Sequence, residues 1–171
     1  MRGFKLILAW AMVLSLGVVG ASAQSQTFTS DDIEYALELP SQVWKVTARP
    51  DSVHQHLEFV NGDRMGGYLR IRKETVDAGA TPTDLANRDQ DVKLRFIPGF
   101  VQGKQERFSG RLNGVTASYE FTSAGKSMAG RIYYLQADAR TIYTLHFTGQ
   151  RDKFLRIRNQ TDAIARSFHV K

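Results

Sequence analysis

The sequence predicts an α+β fold, an α-β-α sandwich with a mostly antiparallel sheet and helices packed on it. Three observations predict it. Apolar and polar residues alternate with a period of two over two long stretches, residues 33–76 and 101–149. One helical pattern lies between these strand runs, and a second helical pattern follows them at the C-terminus.

The first 23 residues read as a signal peptide. Arg2 and Lys5 precede the apolar stretch LILAWAMVLSLGVV, which is too short to span a bilayer comfortably. The small residues ASA follow, so we expect cleavage after Ala23 and export to the periplasm or the medium. An uncleaved membrane anchor is the alternative. The expected organisation is 1–23 signal peptide, 24–32 polar leader and 33–171 a single domain.

Composition narrows the classes of function. The chain has no cysteine, which excludes disulfides, thiol catalysis and thiolate metal sites. The formal net charge is +6, or +4 once Arg2 and Lys5 leave with the signal peptide, and the basic residues are spread along the chain. This spread argues against nucleic acid as a partner and is compatible with weak attraction to an anionic surface. No cofactor is expected.

Two pairs of strands are expected before the first helix. The segment 33–39 alternates apolar and polar residues and ends at Pro40, which has no N–H to donate to a neighbouring strand. The pattern begins again at Trp44. The segments 53–60 and 67–76 form the second pair, joined through a short stretch of Asn, Gly and Asp that favours a turn.

A helix is expected to begin after Thr81. Thr81 suits the N-cap, Pro82 suits the first helical position, and Asp84 stands three residues after the cap. The sequence PGF ends the helix at residues 98–100. Spacing predicts a buried stripe formed by Leu85, Val92 and Phe96.

Asp89 falls on the same stripe of this helix. A buried carboxylate would be costly, which would mark Asp89 as a functional candidate. The interpretation we favour is an edge position at which Asp89 pairs with Lys93, four residues on.

Tight turns divide the second strand run. Asn113-Gly114 is the strongest short hairpin signal in the chain, and the segments 124–126 and 138–140 give two further turns. A closing helix is expected at about 151–167, and Leu155 lies off its apolar stripe. That stripe comprises Phe154, Ile157, Thr161, Ile164, Ala165 and Phe168.

Several of these segments, in this order, resemble the PsbP-like superfamily. They are YALELPSQVWKV (35–46), GYLRI (67–71), NGVTASYEF (113–121), TIYTLHFTG (141–149) and IARSF (164–168). The superfamily takes in the photosystem extrinsic protein, an import factor that binds the GTPase Ran, and bacterial envelope proteins of the DcrB type. The resemblance implies an α-β-α sandwich with a non-enzymatic accessory or binding role. Its markers are structural, so no functional residue is carried over.

His54 and His56 are the metal-ligand candidates. On a strand they share a face with Glu58, and residues two apart lie about 6.6 Å apart at Cα, close enough for two imidazoles to reach one metal ion. Glu58 lies roughly 13 Å from His54 along an extended strand, so a third ligand would have to come from a neighbouring strand. The alternative is two half-exposed histidines on a polar sheet face.

Tyr68, Arg70 and Arg72 are the partner-binding candidates. They share one face of a predicted strand, and arginine and tyrosine are enriched at interfaces. The alternative is ordinary exposure on the solvent face of the sheet. The partner would be an envelope protein or a lipid.

Motifs for catalysis are missing from the sequence. Gly125-Lys126-Ser127 resembles the end of a phosphate-binding loop, but Glu120 stands where that loop requires its first glycine. No G-x-S-x-G sequence is present. We therefore expect an exported, non-enzymatic binding or accessory protein of the cell envelope. A periplasmic metal-binding protein using His54 and His56 is the first alternative, and a small hydrolase with a dispersed triad is the second.

Overall fold

The computed structural model describes residues 25–50 and 56–171. The predicted signal peptide and its cleavage site lie outside the described residues. Three α-helices are described: α1 (Pro82–Val92), α2 (Arg151–Arg156) and α3 (Arg158–Ser167). Ten strands are described: β1 (Gln26–Phe28), β2 (Tyr35–Leu39), β3 (Trp44–Ala48), β4 (Leu57–Asn61), β5 (Asp63–Thr75), β6 (Val101–Ser109), β7 (Asn113–Ser123), β8 (Lys126–Asp138), β9 (Thr141–Gln150) and β10 (His169–Val170).

Seven strands form the central sheet in the order β3-β4-β5-β9-β8-β7-β6, and every neighbouring pair is antiparallel. A small second sheet has the order β1-β2-β10 and is also antiparallel. The second sheet, α2 and α3 cover one face of the central sheet, and α1 covers part of the other. These three layers confirm the predicted α-β-α sandwich.

Each face of the central sheet has its own apolar core. The larger core lies beneath α2, α3 and β2 and includes Leu37, Phe59, Leu145 and Phe168, all fully buried. The smaller core lies beneath α1 and includes Leu85, Ile132, Tyr134 and Ile142. Alternation along β8 and β9 supplies both cores, because successive side chains of a strand point to opposite faces.

The start of α1 follows the prediction. The Thr81 hydroxyl accepts a hydrogen bond from the Asp84 backbone N–H at 3.2 Å, and the Asp84 carboxylate accepts one from the Thr81 N–H at 2.9 Å. This reciprocal pair satisfies two backbone donors that the first turn of a helix leaves free. Pro82 occupies the first turn, where its missing N–H costs nothing.

The end of α1 departs from the prediction. Val92 and Phe96 were expected in the core, but their side chains are 57% and 71% exposed, and Leu94 is buried instead. The α-helix ends at Val92, and a 3-10 turn follows at Leu94–Phe96. The tighter turn rotates the chain by a different angle per residue, so the stripe extrapolated from an α-helix does not continue.

Asp89 is both buried and paired with Lys93, so each of its two predicted environments is correct in part. Its side chain is buried, so the expectation of an exposed edge position is wrong, while its expected ion pair with Lys93 is present at 2.7 Å. The Tyr134 hydroxyl also donates a hydrogen bond to Asp89 at 3.4 Å. The carboxylate is therefore buried with partners, as a charge in the interior requires.

The turn predicted at Asn113-Gly114 is wrong. Both residues lie in the first pairs of β7, opposite Ser109 and Phe108, and the connection runs through 110–112. Gly114 is needed for close packing, since a Cβ there would stand 1.8 Å from the Tyr134 carbonyl oxygen. The turn predicted at 124–126 is present: Ala124 and Gly125 both have positive φ, as a two-residue hairpin loop prefers.

Both ends of the domain gain structure beyond the prediction. The polar leader 24–32 contains β1, which pairs with β2, and Phe28 of β1 packs against the ring of Phe59. The closing helix divides into α2 and α3 at Ile157, yet every residue of its predicted stripe is buried. Leu155, which lay off that stripe, is exposed.

Candidate binding face

Among the described residues, α1 covers only part of its face of the central sheet. This helix packs on β7 and β8, whereas β4 and β5 lie toward the other end of the strand order. Three residues of β5 lie on the same side of the central sheet as α1: Tyr68, Arg70 and Arg72. We call these three residues the arginine face. Leu69 and Ile71, which alternate with them, are buried in the larger core. The face therefore arises directly from strand periodicity.

Glu58 of β4 anchors the arginine face. It lies directly opposite Arg70 in the β4–β5 pairing and is itself buried. Its carboxylate lies 2.8 Å from His56 Nε2, 3.1 Å from Arg64 Nη2 and 3.4 Å from Arg70 Nε. Burial raises the pKa of Glu58, but hydrogen bonds from Tyr68 and His56 and the charges of the two arginines outweigh it, so the net pKa is lowered. The side chain stays a carboxylate at neutral pH.

Two guanidinium groups contact the Tyr68 side chain. The Arg64 guanidinium lies 4.7 Å from the centre of the Tyr68 ring, and the Arg70 guanidinium lies 5.5 Å from it. Arg70 Nε also donates a hydrogen bond to the Tyr68 hydroxyl at 3.0 Å. Stacking within about 6 Å of an aromatic ring is favourable for a cation. Tyr68 and Arg70 are thus ordered before any partner arrives.

Arg72 differs from its neighbours on the arginine face. Its side chain is exposed, and it forms no ion pair or hydrogen bond with any other residue in the described ranges. It lies opposite Thr144 of β9 in the sheet. Arg72 is therefore a cation held on a rigid strand with its donors available.

A groove separates the arginine face from α1, and we call it the helix–sheet groove. Its volume is about 240 Å³. Ile132, Thr144 and His146 of β8 and β9 form its floor. One wall is β5, and the other is α1 with the turn that follows it. The wall residues are Arg70, Arg72, Glu74, Asp89, Lys93, Leu94 and Ile97.

His146 on the groove floor is kept neutral. Burial lowers its pKa most, the charges of Arg70, Arg72 and Lys93 lower it further, and the pKa comes to about 4. Its Nε2 is hydrogen-bonded to the Tyr119 hydroxyl at 2.6 Å. A neutral imidazole fixed in this way contributes no charge to the groove at neutral pH.

Of the two predicted metal ligands, His56 lies within the described residues. His54 lies outside the described residues, and His56 engages the Glu58 carboxylate. Within residues 25–50 and 56–171, no three histidine or carboxylate side chains gather in a way that could hold a metal ion. A site using His54 and His56 stays a prediction.

Sequence reasoning named the arginine face but missed much of what surrounds it. Glu58 entered the sequence-based prediction only as a residue too far from His54 to complete a metal site, and His146 was not among the candidate residues. The signal in the sequence is the alternation of apolar and polar residues along each strand, in which Glu58, Arg70 and His146 occupy polar positions. This alternation alone does not show that the three strands are neighbours in the sheet.

Two comparisons with known sequences find no match for this chain. No protein-family model matches it, and no curated protein is similar to it. In the part of the chain that the structure describes, no helix is long and apolar enough to cross a membrane.

Solved structures do match. The Ran-binding protein Mog1p of Saccharomyces cerevisiae aligns with a TM-score of 0.63 and 10% identity, over 87% of this chain and 96% of that one. Cyanobacterial PsbP (CyanoP) from Synechocystis sp. PCC 6803 aligns with a TM-score of 0.59 and 14% identity, over 92% and 98%. This chain has the PsbP/Mog1p fold. LpqN of Mycobacterium tuberculosis, described as involved in cell envelope biogenesis, shares it with a TM-score of 0.55 and 13% identity, over 86% and 91%.

A longer protein contains the same fold as a part. A crystal structure from Bacteroides thetaiotaomicron aligns with a TM-score of 0.58 and 11% identity over 86% of this chain, which spans 49% of that longer chain. At these identities the comparisons show the fold, and function has to be argued from the site.

Proposed function

We propose that this protein is an exported, non-enzymatic binding protein of the cell envelope and that its partner docks on the arginine face. The observation that carries the proposal is the order already present there: the guanidinium groups of Arg64 and Arg70 contact the Tyr68 ring, and Arg70 pairs with Glu58. Ordering side chains in advance reduces the entropy lost on binding. Arg72 adds exposed positive charge beside them.

The comparisons support this proposal at the level of the fold. The same architecture serves a protein that binds Ran in yeast and a protein involved in envelope biogenesis in a mycobacterium. One fold can thus present quite different binding surfaces. Export is proposed from the N-terminal sequence, and docking from the geometry of β5.

Photocrosslinking tests the docking surface. A photoreactive amino acid replaces Glu74, next to the arginine face, in the full chain expressed in its native cell. We expect a discrete adduct that disappears when Arg72→Glu is added, because reversal of the charge repels the partner. A probe at Leu155, exposed on α2 in the opposite layer, is the matched control. An adduct that survives Arg72→Glu, or that also forms from position 155, would refute docking on this face.

Export has a separate test. The mass of the intact protein recovered from the envelope fraction should correspond to a chain beginning at Gln24. A chain that keeps residues 1–23, or one found only in the cytoplasm, would contradict the exported assignment while leaving the docking surface to its own test.

A further inference from the structure

The charges that line the helix–sheet groove nearly balance. Three cations, Arg70, Arg72 and Lys93, face two carboxylates, Glu74 and Asp89. The lining therefore carries one net positive charge at neutral pH, since His146 is neutral there. A half-enclosed cleft with one uncompensated charge favours an anion of matching charge.

The pairing within the groove shows which cation is available. Lys93 is committed to Asp89 at 2.7 Å, and Arg70 Nε lies 3.4 Å from Glu58, outside the groove. Arg72 has no such commitment to a described residue. Among the described residues, Arg72 is thus the cation of the lining without an ion pair, and Glu74, two residues further along β5, is the lining carboxylate without one.

Arg70 and Arg72 together offer a fork for a carboxylate. They stand two residues apart on one strand face, about 6.6 Å at Cα, opposite His146 and Thr144 of β9. Arg70 uses Nε toward Glu58 and Tyr68, and its terminal nitrogens make no hydrogen bond to a described residue. Guanidinium groups bind carboxylates through paired N–H donors, so an acid group between the two arginines would find donors on both sides.

The opposite wall of the groove carries apolar side chains next to the Asp89–Lys93 ion pair. Leu94 and Ile97 follow α1, and Ile132 of β8 adds an apolar side chain to the floor. A cleft that joins a few polar groups to apolar walls is the usual form of a site for a small organic ligand. The apolar body of a ligand would lie here while its acid group reaches the arginines.

We propose that the helix–sheet groove binds an organic anion with one carboxylate, held between Arg70 and Arg72, and a small apolar body packed on Leu94, Ile97 and Ile132. The inference deepens the proposed function, on which it rests, because it assigns a ligand chemistry to the same arginines. The carboxylate belongs either to a free small molecule or to the C-terminus of a peptide. A phosphate dianion fits less well, since one net charge of the lining would leave its second charge unbalanced in a half-enclosed cleft.

NMR titration of the purified protein tests this assignment. Sodium benzoate is the probe, benzamide is its uncharged counterpart, and inorganic phosphate is the dianion. We expect benzoate to shift the backbone amide signals of Arg70, Arg72, Thr144 and His146, and benzamide and phosphate to bind at least about tenfold more weakly, a difference of about 1.4 kcal/mol.

Two arginine variants complete the experiment. Arg72→Gln should weaken benzoate binding about tenfold without disturbing the fold, because this side chain is exposed. Arg156→Gln, an exposed arginine of α2 in the other layer, should leave the affinity unchanged. Benzamide binding as tightly as benzoate, phosphate binding more tightly, or Arg72→Gln keeping full affinity would each overturn the proposal.

Tripeptides separate the two sources of the carboxylate. Ala-Ala-Phe with a free C-terminus is compared with the same peptide amidated at that end. Tighter binding of the free form than of benzoate supports the proposal and assigns the carboxylate to a peptide terminus. Binding of benzoate alone supports it for a small molecule. If neither binds while the crosslink beside Arg72 persists, the carboxylate site is refuted and the docking surface stands.

Discussion

His146 shows how much a single residue depends on groups far away in the sequence. Its imidazole lies in the middle of β9, half-buried, next to the Tyr119 hydroxyl of β7. Burial, with the charges of Arg70 and Arg72 on β5 and of Lys93 at the end of α1, lowers its pKa to about 4. The carboxylates Glu74 and Asp89 also line this groove, and the pKa of His146 is lowered despite their presence. The native protein therefore keeps this histidine neutral in mildly acidic solution.

Stability should fall as the pH is lowered through the range of an ordinary histidine. An unfolded His146 has a pKa near 6.5 and the folded one about 4, so between these values the unfolded chain binds a proton that the native chain does not. Between pH 7.5 and 5 we expect the free energy of unfolding to fall by about 2 kcal/mol. Urea denaturation at the two pH values measures it.

Two variants decide whether His146 is responsible for the pH dependence. His146→Gln should remove most of it, and Arg72→Gln should reduce it by raising the pKa of His146. Arg156→Gln is the control. Glu34 and Glu58 have lowered pKa values and so lose their contribution only below about pH 4.5, outside this range. A pH dependence unchanged in His146→Gln would contradict this explanation.

At the scale of elements, α1 shows where helical periodicity ceases to guide burial. Its N-terminus obeys local rules, because Thr81, Pro82 and Asp84 make their contacts within one turn. At its C-terminus the chain tightens into a 3-10 turn, and Leu94 enters the smaller core in place of Phe96. The Arg95 guanidinium lies 5.2 Å from the exposed Phe96 ring.

Substitutions at Leu94 and Phe96 test this change of register. Leu94→Ala removes a buried side chain and should lower the free energy of unfolding by about 2–4 kcal/mol. Phe96→Ala removes a larger but exposed side chain and should change it by roughly 0.5 kcal/mol or less. Urea denaturation of the two variants under one condition gives the comparison. If the two variants lower the free energy of unfolding equally, or if Phe96→Ala lowers it more, the originally predicted buried stripe would be supported instead.

At the scale of the whole molecule, polar contacts of α3 fix the outer layer on the sheet. Trp44 Nε1 of β3 donates a hydrogen bond to Gln160 at 2.8 Å. On β8, the buried Arg131 lies 3.2 Å from the Asp162 carboxylate, and the Tyr133 hydroxyl donates to the same oxygen. Burial alone would allow a helix to slide, whereas these bonds define one position.

Loss of Asp162 should therefore destabilise the whole domain. Asp162→Ala leaves Arg131 buried without its counter-ion, which typically costs about 3 kcal/mol in the free energy of unfolding. Glu120→Ala is the matched control, because its ion pair with Arg151 is half exposed on both sides and is worth under about 1 kcal/mol. Thermal or urea unfolding compares them. Equal effects of the two variants would show that Arg131 does not depend on Asp162.

The sequence by itself determined those features that depend on contacts between residues close together in the chain. Alternation along 33–39 and 141–149, the cap at Thr81 and the turn at 124–126 follow from contacts between near neighbours in the chain. The buried stripe from Phe154 to Phe168 follows from helical spacing, even though the helix divides at Ile157. The row formed by Tyr68, Arg70 and Arg72 also follows, because strand periodicity places them on one face.

Only the tertiary structure decided which of these faces are covered and what surrounds them. Gly114 reads as a turn residue until Tyr134 approaches it from β8. The pairing of β4, β5 and β9 brings Glu58, Arg70 and His146 side by side, and the position of α1 encloses a groove between Arg72 and Lys93. These contacts join residues far apart in the chain, and burial and electrostatics act through space, so no local pattern of the sequence contains them.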